Sequence, residues 1–255
     1  MIIMEVNNMY TEVSNFLKGY KDENGVLHTE FEYREMNGTD EEAIAKPKVK
    51  TSGSMITRVL LERCITRIGT IEKATVKPSE WTTIIQSLAI GDQDYAMLKI
   101  REISLGEDFE VSHKCPSCKT KINSVFTLDE LPLIPYNGME EIEFELPRGY
   151  TDKEGKLHNT GVLRYATGLD REALDKVVSQ NPSTANTLLL ARCIKSLGTA
   201  PITDDILRNL SMRDRNHLFS LLRESAFGYD VSDFEIECPS CGRELSISFN
   251  QTDFL

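Results

Sequence analysis

The chain has no apolar run approaching the roughly 18 residues a membrane helix needs, which argues against a helical membrane span. Its opening, MIIMEVNNMYTEV, lacks a basic segment followed by an apolar one, so no secretory leader is expected. Positive charge is scarce: 29 Lys and Arg against 40 Asp and Glu give a net charge of −11. Nucleic-acid binding draws its affinity from counterions displaced by Lys and Arg, so nucleic acid is not an expected partner. The basic run KPKVK, at 46–50, sits in a polar stretch and reads as a solvated loop. Phosphate-loop, GxGxxG, HExxH and GxSxG motifs are all missing. With four His and no cluster of His with carboxylates, there is little material for acid–base chemistry, and no catalytic residue is assigned. The acidic stretches TDEEAI and NGMEEIEFE are ordinary solvated faces.

What is present is a repetition. GYKDENGVLH (19–28) and GYTDKEGKLH (149–158) share six of ten positions. NGTDEEAI (37–44) matches TGLDREAL (167–174), and LERCITRIGT (61–70) matches LARCIKSLGT (190–199). LKIREISLGEDFEV (98–111) then matches SLLRESAFGYDVSDFEI (220–236), and CPSC occurs at 115–118 and 238–241. The offset drifts from 130 to 123, as insertions and deletions confined to loops would produce. The sequence therefore predicts two copies of one module, 1–131 and 132–255, joined at LPLIPYNGMEE by an irregular connector containing Pro132, Pro135 and Gly138. The expected fold class is α+β: each module carries a β-hairpin, a small helical bundle and a CxxC knuckle hairpin. At 255 residues, with 40% apolar residues, each module is long enough to bury a core.

In each module the tip DENG or DKEG predicts a hairpin, with Gly supplying the positive φ of a tight reversal. His28 and His158 fall in the return strands, where a His can brace the hairpin through a backbone hydrogen bond. A helix is expected over SMITRVLLERCITRIG, with Ile56, Leu60, Cys64 and Ile68 on one face and Gly69 as its stop. Its counterpart is ANTLLLARCIKSLG, with Leu189, Cys193 and Leu197 buried and Gly198 as the stop. Cys64 and Cys193 then serve as small apolar residues. Short helices capped by Ser79 and Thr203 follow, then longer ones ending at Gly106 and Gly228. Arg101-Glu102 and Arg223-Glu224 are adjacent and diverge by about 100° on a helix, which predicts separate surface or capping contacts.

The last element of each module is the chemically distinctive one. DFEIECPSCGRELSISF alternates Phe234, Ile236 and Cys238, then Leu245, Ile247 and Phe249, around a Cys-Pro-Ser-Cys-Gly reversal. DFEVSHKCPSCKTKINSVF repeats the pattern with Phe109 and Val111 leading in, Ile122, Ser124 and Phe126 leading out, and Lys119 in place of Gly242. This is the layout of a zinc knuckle, whose turn aims two sulfurs at one point. Tetrahedral Zn²⁺ takes four ligands and each knuckle offers two, so Cys115, Cys118, Cys238 and Cys241 are expected to share one structural zinc that clamps the modules with near two-fold symmetry. The alternatives are a site near Cys115 completed by His113, a thioredoxin-like redox pair, or reduced thiols at a decayed site. Disulfides are disfavoured without a secretory leader.

The string IREISLGEDFEV, CPSC and INSVFTLDEL, preceded by a Cys-bearing helix, resembles the baseplate hub and hub-assembly proteins of T-even-type contractile-tailed bacteriophages. FELPRGYTDKEGKLHNTGVLRYAT, followed by LDREAL and LLLARCIKSLG, is similar to phage tail-assembly proteins, and the second copy is the better match. The resemblance implies a component or assembly factor of the tail baseplate. It would be made in the host bacterial cytoplasm, with other baseplate and tail proteins as partners and a possible oligomer within the baseplate. It carries the two cysteine pairs over as metal positions and no catalytic residues. A tail-assembly chaperone absent from the mature virion, and a CxxC thiol redox protein, are the alternatives.

Overall fold

The computed structural model describes residues 9–230 and 234–247. Strands β1 (Thr11–Lys21) and β2 (Leu27–Arg34) form the first hairpin, and Asp22 organises its tip. The Asp22 carboxylate accepts the N–H groups of Asn24 (2.9 Å) and Val26 (2.8 Å), and its other oxygen lies 3.2 Å from His28 Nε2. The structural role expected of His28 is therefore filled, with the turn carboxylate rather than the backbone as its partner.

Helices α1 (Gly38–Ile44) and α2 (Gly53–Cys64) follow, with KPKVK in turns between them. The helix predicted to run on to Gly69 stops at Cys64: residues Ile65–Ile68 are strand β3, paired with β2 through Phe31↔Ile68 and Tyr33↔Ile65. Ile65, Thr66 and Ile68 are β-branched and pack better on a pleated surface than around a helix. Gly69 ends a strand, not a helix. It adopts φ +55°, and a Cβ there would lie 2.2 Å from His28 Nδ1, so the buried imidazole requires glycine.

After β4 (Ile71–Glu72) comes α3 (Pro78–Ser87), which starts on Pro78 with Lys77 at the cap; Ser79 sits inside the first turn and is not the cap. Helix α4 (Ile90–Leu105) ends at Gly106 as expected. Arg101 is buried and donates to the carbonyls of Gly106 and Asp108, while its neighbour Glu102 pairs with Lys99 at 2.6 Å. The first half closes with β5 (Asp108–Lys114) and β6 (Lys121–Thr127). The connector forms a two-residue strand, β7 (Leu133–Ile134).

The second half runs β8 (Ile142–Thr151), β9 (Leu157–Leu163), α5 (Gly168–Val178), α6 (Pro182–Cys193), β10 (Ile194–Leu197), α7 (Asp204–Asn209) and α8 (Met212–Glu224). It ends in β11 (Gly228–Tyr229), β12 (Phe234–Glu237) and β13 (Glu244–Ile247). Asp152 holds its hairpin tip as Asp22 does, with His158 Nε2 at 3.0 Å. Again the helix stops at the cysteine: β10 pairs with β9, and Gly198 follows that strand beside His158. Thr203 caps α7 as expected, accepting from the Ile206 N–H. Gly228 does not terminate α8, which ends at Glu224; it lies in β11, paired with β7 and packed on Gly91. Phe249, expected to close the last strand, lies outside the described residues.

Two cores result. Phe16, Phe31, Leu60, Ile65, Trp81 and Ile100 centre the first, and Phe144, Leu163, Leu190, Ile194, Leu207 and Leu218 the second. Cys64 and Cys193 are fully buried one in each, and burial pushes each thiol up to about 12. The cores meet where α5 lies against α2, α3 and α4. There the Gly168 N–H donates to Leu88 O, the Ile90 N–H to Ala166 O, and Arg171 to Gln93 and Asp94. The mixture of small sheets and eight helices among the described residues is an α+β architecture.

Candidate metal centre

Each cysteine pair sits at the tip of a two-stranded hairpin. Strands β5 and β6 pair in unbroken register from Asp108↔Thr127 to Lys114↔Lys121, and β12 and β13 from Phe234↔Ile247 to Glu237↔Glu244. The two tips carry the same hydrogen bonds. Cys115 N–H donates to Thr120 O and Lys119 N–H to Cys115 O; Cys238 N–H donates to Arg243 O and Gly242 N–H to Cys238 O, all at 2.9 Å. This turn needs a left-handed residue after the second cysteine. Gly242 meets the demand at φ +68°, and Lys119 takes φ +64° in spite of its Cβ. Lys119 is the one non-glycine residue with positive φ among the described residues, and its Nζ reaches back to Pro116 O at 2.7 Å.

The tips face each other. Cys115 Sγ is 3.8 Å from Cys241 Sγ, Cys118 Sγ is 3.6 Å from Cys238 Sγ, and all four sulfurs lie within 4.8 Å of one another. Cys115 and Cys238 are buried against Ile122 and Leu245, while Cys118 and Cys241 lie on the outside. Zinc–sulfur bonds of about 2.3 Å in a tetrahedron put sulfurs about 3.8 Å apart, so the separations suit a four-thiolate metal site. They are far beyond the roughly 2.05 Å of a disulfide. The Thr120 hydroxyl and N–H draw the Cys118 thiol down to about 6. For Cys241 the Arg243 N–H lowers the pKa, but the neighbouring sulfurs outweigh it and push the thiol up to about 12. Thiols crowded together resist simultaneous ionisation, and a dication at their centre reverses that preference.

The structure thus brings together Cys115, Cys118, Cys238 and Cys241. His113 is not among the converging groups; it pairs with Ile122 along the β5–β6 ladder. Neither CxxC opens a helix, which removes the geometry a thioredoxin-like pair uses.

A second set of charged residues, spread along the chain with no local motif, converges in each half. Asp40, fully buried, accepts from Arg34 (2.6 and 3.0 Å) and Arg63 (2.5 Å), and Asp170 accepts from Arg164 and Arg192 at matching distances. Burial works to raise the Asp40 pKa, yet Arg34, Asn37 N–H and Arg63 together bring it down to about 2. Asp92, also fully buried, accepts the N–H groups of Leu17, Lys18 and Gly19 at a bulge in β1, and Asp214 accepts that of Arg148 in β8. The repeat held the signal, since each of these residues recurs in the second half at the drifting offset.

Comparison with curated proteins and with solved structures gives no significant match. No helix among the described residues is long and apolar enough to cross a membrane. The model of the T4 bacteriophage base plate protein family matches residues 21–199, from the first hairpin through β10 and including the first cysteine pair. Because that match spans well over half of its length, the chain belongs to the T4 bacteriophage base plate protein family.

Proposed function

We propose that the chain is a non-enzymatic structural part of the tail baseplate, at the hub or a wedge, made of two copies of one unit (1–131 and 132–255) stapled by a single Zn²⁺. The observation that carries the zinc assignment is the convergence of four sulfurs from two cysteine pairs separated by 119 residues of sequence. Such a site needs no other ligand and leaves no position open for substrate, as structural zinc requires. The duplication is supported by interactions that recur in both halves: the Asp–His brace of the hairpin tip, the Arg–Asp–Arg cluster, and the carboxylate on the edge strand. Two similar but non-identical faces suit the docking of neighbouring baseplate and tail proteins. Assembly in the host cytoplasm and residence in the virion tail follow from that role.

Native mass spectrometry of reduced, metal-replete protein is expected to show one zinc per chain, and none would defeat the assignment. Proteomics of purified virions is expected to find the chain at fixed stoichiometry. Its absence from the particle would favour a transient assembly chaperone instead.

A further inference from the structure

The joint between the halves is one-sided. In it α5 presents Gly168, Arg171 and Glu172 to α2, α3 and α4. A Cβ on Gly168 would lie 1.9 Å from the Gln93 side chain, and Glu172 accepts from Gln86 and is ion-paired with Arg58, each at 2.9 Å. The counterpart of α5 in the first half is α1, in which Gly38 and Glu42 stand where Gly168 and Glu172 stand, while Glu41 replaces Arg171 and reverses its charge. All three are exposed, and a Cβ on Gly38 would meet nothing within 4 Å. The counterpart of the receiving face is on α7 and α8. Arg208 stands where Gln86 does, and Met212 where Ile90 does, and both point to solvent, Met212 at 68% exposure.

A socket is therefore filled inside the chain, while among the described residues a second plug on α1 and a second socket on α7 and α8 are left open. One pair of charges is complementary: Glu42 would meet Arg208, which within the chain pairs with Asp204 at 3.2 Å, where Glu172 meets Gln86 and Arg58. The geometry points to head-to-tail self-association, in which α1 of one chain docks on α7 and α8 of a second copy and repeats the internal joint. A joint of this heterologous kind closes into a ring or extends as a filament, according to the rotation it imposes. The inference rests on the equivalence of the two halves and adds a partner to it. Gly38 then has a role that its surroundings within one chain do not give it: it lets the plug approach.

Sedimentation velocity of the full-length zinc-loaded chain, from micromolar to millimolar concentration, is the test. Concentration-dependent oligomers are expected. Gly38→Leu has open space around it and a backbone outside the left-handed region, so it should keep the wild-type melting temperature while weakening association at least tenfold. E42R and R208E should each weaken association alone, and an equimolar mixture should restore it, because each altered head then meets a complementary tail. A wild-type chain that stays monomeric throughout, or a Gly38→Leu chain that associates as well as wild type, overturns the proposal. A monomer that still binds one zinc would leave the structural-zinc assignment standing, whereas an oligomer without zinc would do the opposite.

Discussion

Asp40 shows how one side chain can be indispensable without being catalytic. It is buried, and two guanidinium groups and a backbone N–H keep it charged. Removing the charge strands the arginines, so Asp40→Asn is expected to lower stability by about 3–5 kcal/mol in urea unfolding. The same cluster sets an acid limit. The folded pKa, about 2, lies below the ordinary 3.8, so its contribution is complete above pH 4 and fades as pH falls toward 2. A difference of that size is worth about 2 kcal/mol, readable as a fall of the denaturation midpoint across that window that is smaller by that amount in Asp40→Asn, where Asp170 still titrates. Gly69 makes a steric case of the same kind. Gly69→Ala would drive a methyl group into His28 and force a left-handed alanine, with an expected loss of at least about 2 kcal/mol in thermal unfolding.

At the scale of elements, the knuckles are nearly the same object with one difference in cost. Lys119 holds a conformation that suits glycine, at about 1–2 kcal/mol. Lys119→Gly should relieve that cost and tighten zinc several-fold, measured by competition with a chromophoric chelator. An unchanged affinity would mean the Nζ bond to Pro116 O already offsets the strain. The helices offer a lesson about period. Ile56, Leu60, Cys64 and Ile68 satisfy a helical spacing without a break, yet the chain turns to strand after Cys64. Local pattern could not see that β2 has an edge waiting at Tyr33 and Phe31, and β-branched residues sit more favourably there. Pro78 displaced Ser79 as the start of α3 because its fixed φ and missing N–H suit the first helical position.

At the scale of the molecule, the sulfurs turn out not to be the sole clamp. The cysteine cluster is distinct from the two large cores and touches the first through Ile236, while the cores are joined independently through α5 and through the pairing of β7 with β11. Stripping the metal is therefore expected to free the two knuckles while leaving the helical body assembled. Hydrogen exchange after chelation should rise sharply in 108–127 and 234–247 and change little in α2, α4, α6 and α8. Equal loss of protection everywhere would show that the zinc staple supports the whole fold.

The matched segments, both hairpin tips, the positions of the buried helical cysteines and the four converging cysteines were legible in the sequence, because each is a short local pattern that recurs in the second half. Where α2 and α6 give way to strand, that Asp40, Arg34 and Arg63 converge, and that α5 joins the two cores apart from the cysteine cluster were not legible there. Those outcomes depend on edges, buried charges and surfaces supplied by residues distant along the chain, and their energies exist only once the tertiary structure has brought the groups into contact.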